Sequence, residues 1–272
     1  CFQAFIAPFD QTIYPLIRLI GQSAVMMFFA LSGYLIGHSI QKNIETFKEF
    51  RLSHYIKQRC KRIFPPFVFA LALTTILYGL APYFFASGSR EFVHSFGFMI
   101  RDHYDIALPD FVGSALFLNG FLSNTVSANA PLWSLSYEVW FYVLAGFIPF
   151  ISSVNHQAKI IFGILILAIL SWLNLQFLIY FLVWLFAFSL SFLDYRNSLK
   201  PALTLLQYAF LAFAFAIAGF DFYQFHFVYL GQEYTTENFT LFNMCIGINF
   251  ACWLARLQLQ DTNFKATWPS SA

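Results

Sequence analysis

Charge is scarce in this chain. Only 10% of its 272 residues are Asp, Glu, Lys or Arg, against about 25% in a soluble domain, so a water-soluble globule is excluded. Cysteine is also rare. Cys1, Cys60, Cys245 and Cys252 show no CxxC spacing and no paired His tract, so no metal site is indicated. Cys245 and Cys252 share one face of an apolar run, where a thiol behaves as a small buried hydrophobe. No GxSxG, P-loop or GxGxxG is present, which removes the common soluble mechanisms. None of the six histidines falls in the middle of an apolar run. His38 and His54 lie at or beyond the end of the first run, His94 and His103 in a polar loop, His156 and His226 in connections. No internal repeat of the kind that marks many transporters appears, and no linker interrupts the chain. A single membrane-embedded domain over residues 1–272 is expected.

What is abundant is apolar surface: 59% of the residues are hydrophobic, 21% aromatic, and Phe alone contributes 38. Isolated strands cannot cross lipid, because their backbone groups would go unpaired. The fold class is therefore all-α, a polytopic transmembrane helix bundle. Seven full spans are expected, over residues 23–40, 64–85 (entered through Pro65-Pro66), 133–152, 160–174, 176–193, 202–220 and 240–257. Residues 111–123 are apolar but too short for a crossing, and suit a re-entrant or interfacial segment.

The basic residues set the orientation. Lys42, Lys48, Arg51, Lys57, Arg59, Lys61 and Arg62 crowd into the connection 41–62, which the positive-inside rule puts in the cytoplasm. If 111–123 does not cross, Arg196, Lys200, Arg256 and Lys265 also fall inside. The acidic stretches 86–110 and 221–239 then fall outside. The net charge of +2 comes from a topological cluster, so no nucleic acid partner is expected; the lipid bilayer is.

Against this background the stretch from Pro131 to Leu144 stands out, because it carries a carboxylate inside an apolar run. Pro is favoured in the first turn of a helix. Ser134, Glu138 and Tyr142 then follow at i, i+4 and i+8, on one face. A charged carboxylate in hydrocarbon costs about 2.5–3.5 kcal/mol on insertion scales, so this face must meet protein or a wet cavity. Glu138 is either a structural partner of a neighbouring helix or part of a substrate path or active site. Arg59 and Arg62, three apart, can grip phosphates bidentately or anchor the chain to anionic lipid heads. Gly33 and Gly37 make a small-xxx-small spacing for close helix packing. The alternative for Ser32-Gly33 is a place along an internal cavity.

Three segments in order resemble the acyltransferase 3 family of integral membrane O-acyltransferases, which includes polysaccharide and O-antigen acetylases. They are Phe28-Phe29-Ala30-Leu31-Ser32-Gly33-Tyr34-Leu35-Ile36, then Arg59-Cys60-Lys61-Arg62-Ile63-Phe64-Pro65, then Leu132-Trp133-Ser134-Leu135-Ser136-Tyr137-Glu138. They match the patterns FFxLSGfL, RxxRIxP and LWSLsxE. The resemblance implies transfer of an acyl group, usually acetyl, from cytoplasmic acyl-CoA as co-substrate to a hydroxyl of a glycan or lipid-linked acceptor. It implies that Arg59 and Arg62 bind CoA phosphates, that Ser32 and Gly33 line the acyl path, and that Trp133, Ser134 and Glu138 shape the transfer site as candidate catalytic residues. It also implies a multi-pass protein of the cell membrane, the bacterial inner membrane in particular. The family carries an Arg and a catalytic His on a helix ahead of the FFxLSG segment, and nothing before Phe28 matches them here. A chain incomplete at both termini is expected on that ground. The other readings are a transporter or flippase using Glu138 as an intramembrane carboxylate, and an inactive remnant.

Overall fold

The computed structural model describes residues 13–84, 106–129, 131–150, 157–193, 199–229 and 240–260. Among them there are eight α-helices and no strand: α1 (Ile13–Phe47), α2 (Leu52–Phe84), α3 (Leu108–Ala115), α4 (Leu132–Ala145), α5 (Gln157–Leu173), α6 (Leu175–Leu190), α7 (Lys200–Tyr229) and α8 (Thr240–Gln260). Four stretches are long and apolar enough to cross a membrane: Leu19–Phe47, Leu52–Phe84, Lys200–Ala218 and Thr240–Gln258. The other three runs expected to cross form shorter helices. At 1.5 Å per residue α5 and α6 reach about 25 Å, and α4 about 21 Å, against a hydrocarbon core of about 30 Å.

Each difference from the hydropathy reading has a local cause. The run 133–152 does not continue as one helix, because α4 closes at Gly146, whose N–H returns to the carbonyls of Tyr142 and Val143 at 3.2 and 3.1 Å. A single 3₁₀ turn follows at Ile148–Phe150, with Pro149 restricting the residue before it. Conversely, the basic stretch 41–62 is not a loop. Charge ends a hydropathy window without breaking a helix, and only 48–51 leave the helical state. There Lys48 takes a left-handed φ of 62°. Asn43 clamps the turn, accepting from the Arg51 N–H at 2.9 Å and donating to the Arg51 carbonyl at 3.2 Å. Helix α2 then runs straight through Pro65 and Pro66, which were expected to open a span. Proline inside a helix is tolerated in membrane segments, where other groups re-satisfy the freed carbonyls.

The short run 111–123 falls on α3, about 12 Å long, and on the turns after it. Phe117 (φ 58°) and Gly120 (φ 85°) reverse the chain there. Helix α7 continues to Tyr229, past the expected end of its span. The rest of the acidic stretch 221–239, and residues 86–105, lie outside the described residues.

The contacts fall into two compact units, Cys1–Ile17 with Lys42–Leu178 and Arg18–Gln41 with Ile179–Ala272. The first is centred on α4 and an aromatic cluster of Tyr137, Phe141, Phe177 and Phe121, with ring centroids 5.1–6.5 Å apart. The second packs Phe29 against Tyr180, with Trp184 and Phe188 stacked beside them. In it a Cβ at Gly33 would strike the backbone carbonyl of Trp184, and one at Gly37 the Ser191 side chain. Small residues are what this approach of α1 to α6 requires. Cys245 and Cys252 are buried in this unit.

Candidate functional site

The site grows from α4. Pro131 stands at its N-cap, and the Ser134 hydroxyl turns back to the Pro131 carbonyl at 2.9 Å. One turn further, Glu138 is 5% exposed. Its carboxylate accepts a hydrogen bond from the hydroxyl of Tyr142, its i+4 neighbour. Tyr142 is also the point where α2 joins: the Tyr55 hydroxyl donates to the Tyr142 backbone carbonyl at 3.0 Å.

Arg59 sits one turn beyond Tyr55. Its guanidinium lies 5.6 Å from the Tyr55 ring centroid and 5.8 Å from that of Tyr142. Cations favour the faces of such rings. The charge of Glu138 is also felt at Arg59. Arg59, Tyr55, Tyr142 and Glu138 thus form one cluster in which Tyr142 meets both the cation and the carboxylate. Arg62, three residues on, is exposed. Helical spacing put the two arginines on one face; the structure turns the first inward and leaves the second outside.

Ser134 and Trp133 stand in the first turn of α4. Ser134 is half-buried and bonded to its own helix start, so it does not join Tyr142 on the carboxylate. Trp133 is half-buried, with its ring 5.3 Å from Tyr137 in an edge contact. Ser32 is buried and Gly33 packs against Trp184, both in the second unit.

Sequence reasoning missed the groups that hold α4 in place. Ser136 donates to Asn119, Trp140 Nε1 donates to the Phe117 carbonyl at 2.9 Å, and Asn174 Nδ2 donates to the Tyr137 hydroxyl at 2.6 Å and the Gly120 carbonyl at 2.8 Å. These bonds tie the buried side of α4 to the turn after α3. Asn119-Gly120 is a recognisable turn pair, and Asn174 interrupts an apolar run. Both were visible as breaks, but not as braces.

Beside the cluster, α2 and α4 part to leave a groove of about 330 Å³. Its α2 wall is one helical stripe from Leu52 to Phe64, about 18 Å long at the helical rise. Its α4 wall runs from Val139 to Phe147, and Phe117 stands at the end beside Phe64. At the other end a Cβ on Gly146 would lie 3.3 Å from Leu52 and 3.6 Å from Tyr55, so glycine there allows the helices to close. The walls are almost wholly apolar, Arg59 contributing its stem. Tyr142 is shared: it lines the groove, and its hydroxyl holds Glu138. Among the described residues no cluster of His, Cys, Asp and Glu could hold a metal ion.

A family model described as an acyltransferase domain matches residues 2–271. No curated protein and no solved structure matches the chain significantly. With its apolar helices and nearly its whole length matched, the chain belongs to the acyltransferase 3 family of membrane acyltransferases.

Proposed function

We propose that the protein transfers an acyl group, acetyl in the simplest case, from cytoplasmic acyl-CoA to a hydroxyl of a glycan or lipid-linked acceptor at a cell membrane. The reading rests on one observation above the rest: Glu138 is buried and bonded to Tyr142, whose ring also lies near the Arg59 guanidinium. A buried carboxylate among aromatic side chains is an expensive way to pack a helix, and a useful one for directing a proton.

In this reading the acceptor hydroxyl attacks the thioester carbonyl and must give up its proton, while negative charge gathers on the carbonyl oxygen. Glu138, held by the Tyr142 hydroxyl, orients the acceptor hydroxyl or the base beside it and is not a nucleophile. Arg59, over the rings of Tyr55 and Tyr142, supplies positive charge to the same cluster. The exposed Arg62, with Lys57 and Lys61, is placed to meet the CoA phosphates from the cytoplasmic side. Trp133 and Ser134, at the N-terminal turn of α4, belong to the mouth through which the acceptor comes.

Membranes carrying the protein, supplied with radiolabelled acetyl-CoA, should accumulate label as a base-labile ester in the polysaccharide or lipid-linked fraction. Membranes lacking it should not. Failure to transfer label from acetyl-CoA or any longer acyl-CoA would overturn the proposal.

A further inference from the structure

We propose that the groove between α2 and α4 is the subsite for the donor's acyl chain, shaped for an unbranched aliphatic chain longer than acetyl, with Phe117 as its floor. This deepens the acyltransferase reading and rests on it.

The shape comes first. A groove whose α2 wall runs about 18 Å, with apolar walls and about 330 Å³ of space, fits a linear hydrocarbon. An acetyl group would leave nearly all of it unfilled. The location comes second. Tyr142 forms part of the wall and bonds Glu138 through its hydroxyl, so a chain in the groove lies one side chain away from the proposed transfer site. The third argument is charge. Lys57 directly follows the lining residue Ile56, in the half of the α2 wall away from Phe117, and is exposed. An apolar groove with a cation beside its far half complements a hydrocarbon chain joined to a phosphate-bearing head.

The floor is built to be rigid. Phe117 holds a left-handed φ of 58°, uncommon for a bulky residue and sustained only where the surroundings impose it. Trp140 fixes its carbonyl at 2.9 Å, and its ring lies 4.6 Å from Phe67 and 6.2 Å from Phe64. A side chain held this firmly sets a length limit rather than yielding to it.

The step itself is ordinary acyl transfer. The thioester C–S bond breaks and a C–O ester bond forms to the acceptor oxygen. The hydroxyl proton ends on the CoA thiol, so nothing is oxidised or reduced.

The test is a chain-length series from acetyl-CoA to palmitoyl-CoA, offered to membranes carrying the wild type, Phe117→Ala or Val143→Trp. Wild type should use or bind medium chains better than acetyl and fall off beyond them, and Phe117→Ala should move that limit to longer chains. Phe117 is buried, so Val143→Trp, at a half-open lining position, gives a second variant less exposed to folding failure. It should lower the ratio of medium-chain to acetyl use by about tenfold or more, as pocket methylenes do. A diazirine-bearing acyl-CoA should label the peptides containing Phe117 and Val139, and unlabelled decanoyl-CoA should compete. If acetyl is transferred, longer chains are refused and no variant changes the ratio, the acyl-chain subsite falls and the acyltransferase stands. Labelling there by a diazirine phosphatidylglycerol alone, without competition by acyl-CoA, makes the groove a bilayer-lipid site and overturns the proposal. If no acyl-CoA is used at all, both readings fall.

Discussion

The two units each bury polar side chains among apolar helices, and they do so differently. In the second, Ser23 donates to Asn243 Oδ1 at 3.0 Å, and Asn243 Nδ2 donates to Gln22 at 3.0 Å. Each member is neutral, and the bonds join α1 to α8 directly. Close by in sequence, Gly33 and Gly37 press against α6. This is the ordinary means of holding membrane helices together. In the first unit the buried polar groups include a carboxylate and a guanidinium, both meeting the Tyr142 side chain and set beside an apolar groove. Neutral amides exchange hydrogen bonds at little expense. A carboxylate and a guanidinium among apolar helices cost far more to bury, and intramembrane charges of this kind mark functional sites. On that comparison we propose that the Asn243 cluster serves packing and the Glu138 cluster serves the reaction.

Five substitutions can break or sharpen that division. The largest effect is expected from Gly33→Val. Its Cβ meets the Trp184 backbone, which cannot swing aside as a side chain can, so most of the protein should be missing from the membrane fraction on an immunoblot. Normal accumulation would refute the packing of α1 on α6. Tyr142→Phe removes only the hydroxyl that holds Glu138. A hydrogen bond to a charged group is worth about 1.5–3 kcal/mol, so acyl transfer per molecule should fall about tenfold or more while abundance holds. An unaffected rate would detach Tyr142 from the site.

The arginine pair comes next. Arg59→Lys loses the planar cation over two rings and should depress kcat several-fold, whereas the exposed Arg62→Lys should mainly raise the KM for acyl-CoA. A KM effect alone in both variants would return Arg59 to a simple phosphate-binding role. The smallest change is expected from Asn243→Ala, which removes helix glue worth about 0.6–1.7 kcal/mol. Thermal stability in detergent should drop slightly, with activity per folded molecule unchanged. A rate defect without a stability defect would bring the second cluster into the chemistry.

How much of this was legible in the sequence depended on how local the cause was. The Glu138–Tyr142 bond follows from helical spacing alone and could be foreseen. Its expected third member, Ser134, was lost to a hydroxyl–carbonyl bond within the first turn, a competition typical of serine at helix starts. That all segments are helical followed from composition. Where they stop did not: Pro65-Pro66 read as an entrance yet lie inside α2, while Gly146 and Pro149 end α4 within a run that hydropathy joins. The inward turn of Arg59 was illegible, because it needs Tyr55 from its own helix and Tyr142 from one about eighty residues away. The groove was hidden for the same reason. Its walls come from α2, α4 and the turn at Phe117, and no single stretch carries its pattern.

The central claim is that the buried carboxylate serves the reaction and not the packing. The direct measurement is the rate of label transfer from acyl-CoA by Glu138→Gln and wild-type membranes, each divided by the amount of folded protein present. Gln keeps the shape and can still meet the Tyr142 hydroxyl, but it carries no charge. The account predicts wild-type abundance with transfer reduced by one or more orders of magnitude. Wild-type transfer per molecule, or a loss of activity matched by an equal loss of protein from the membrane, would contradict it.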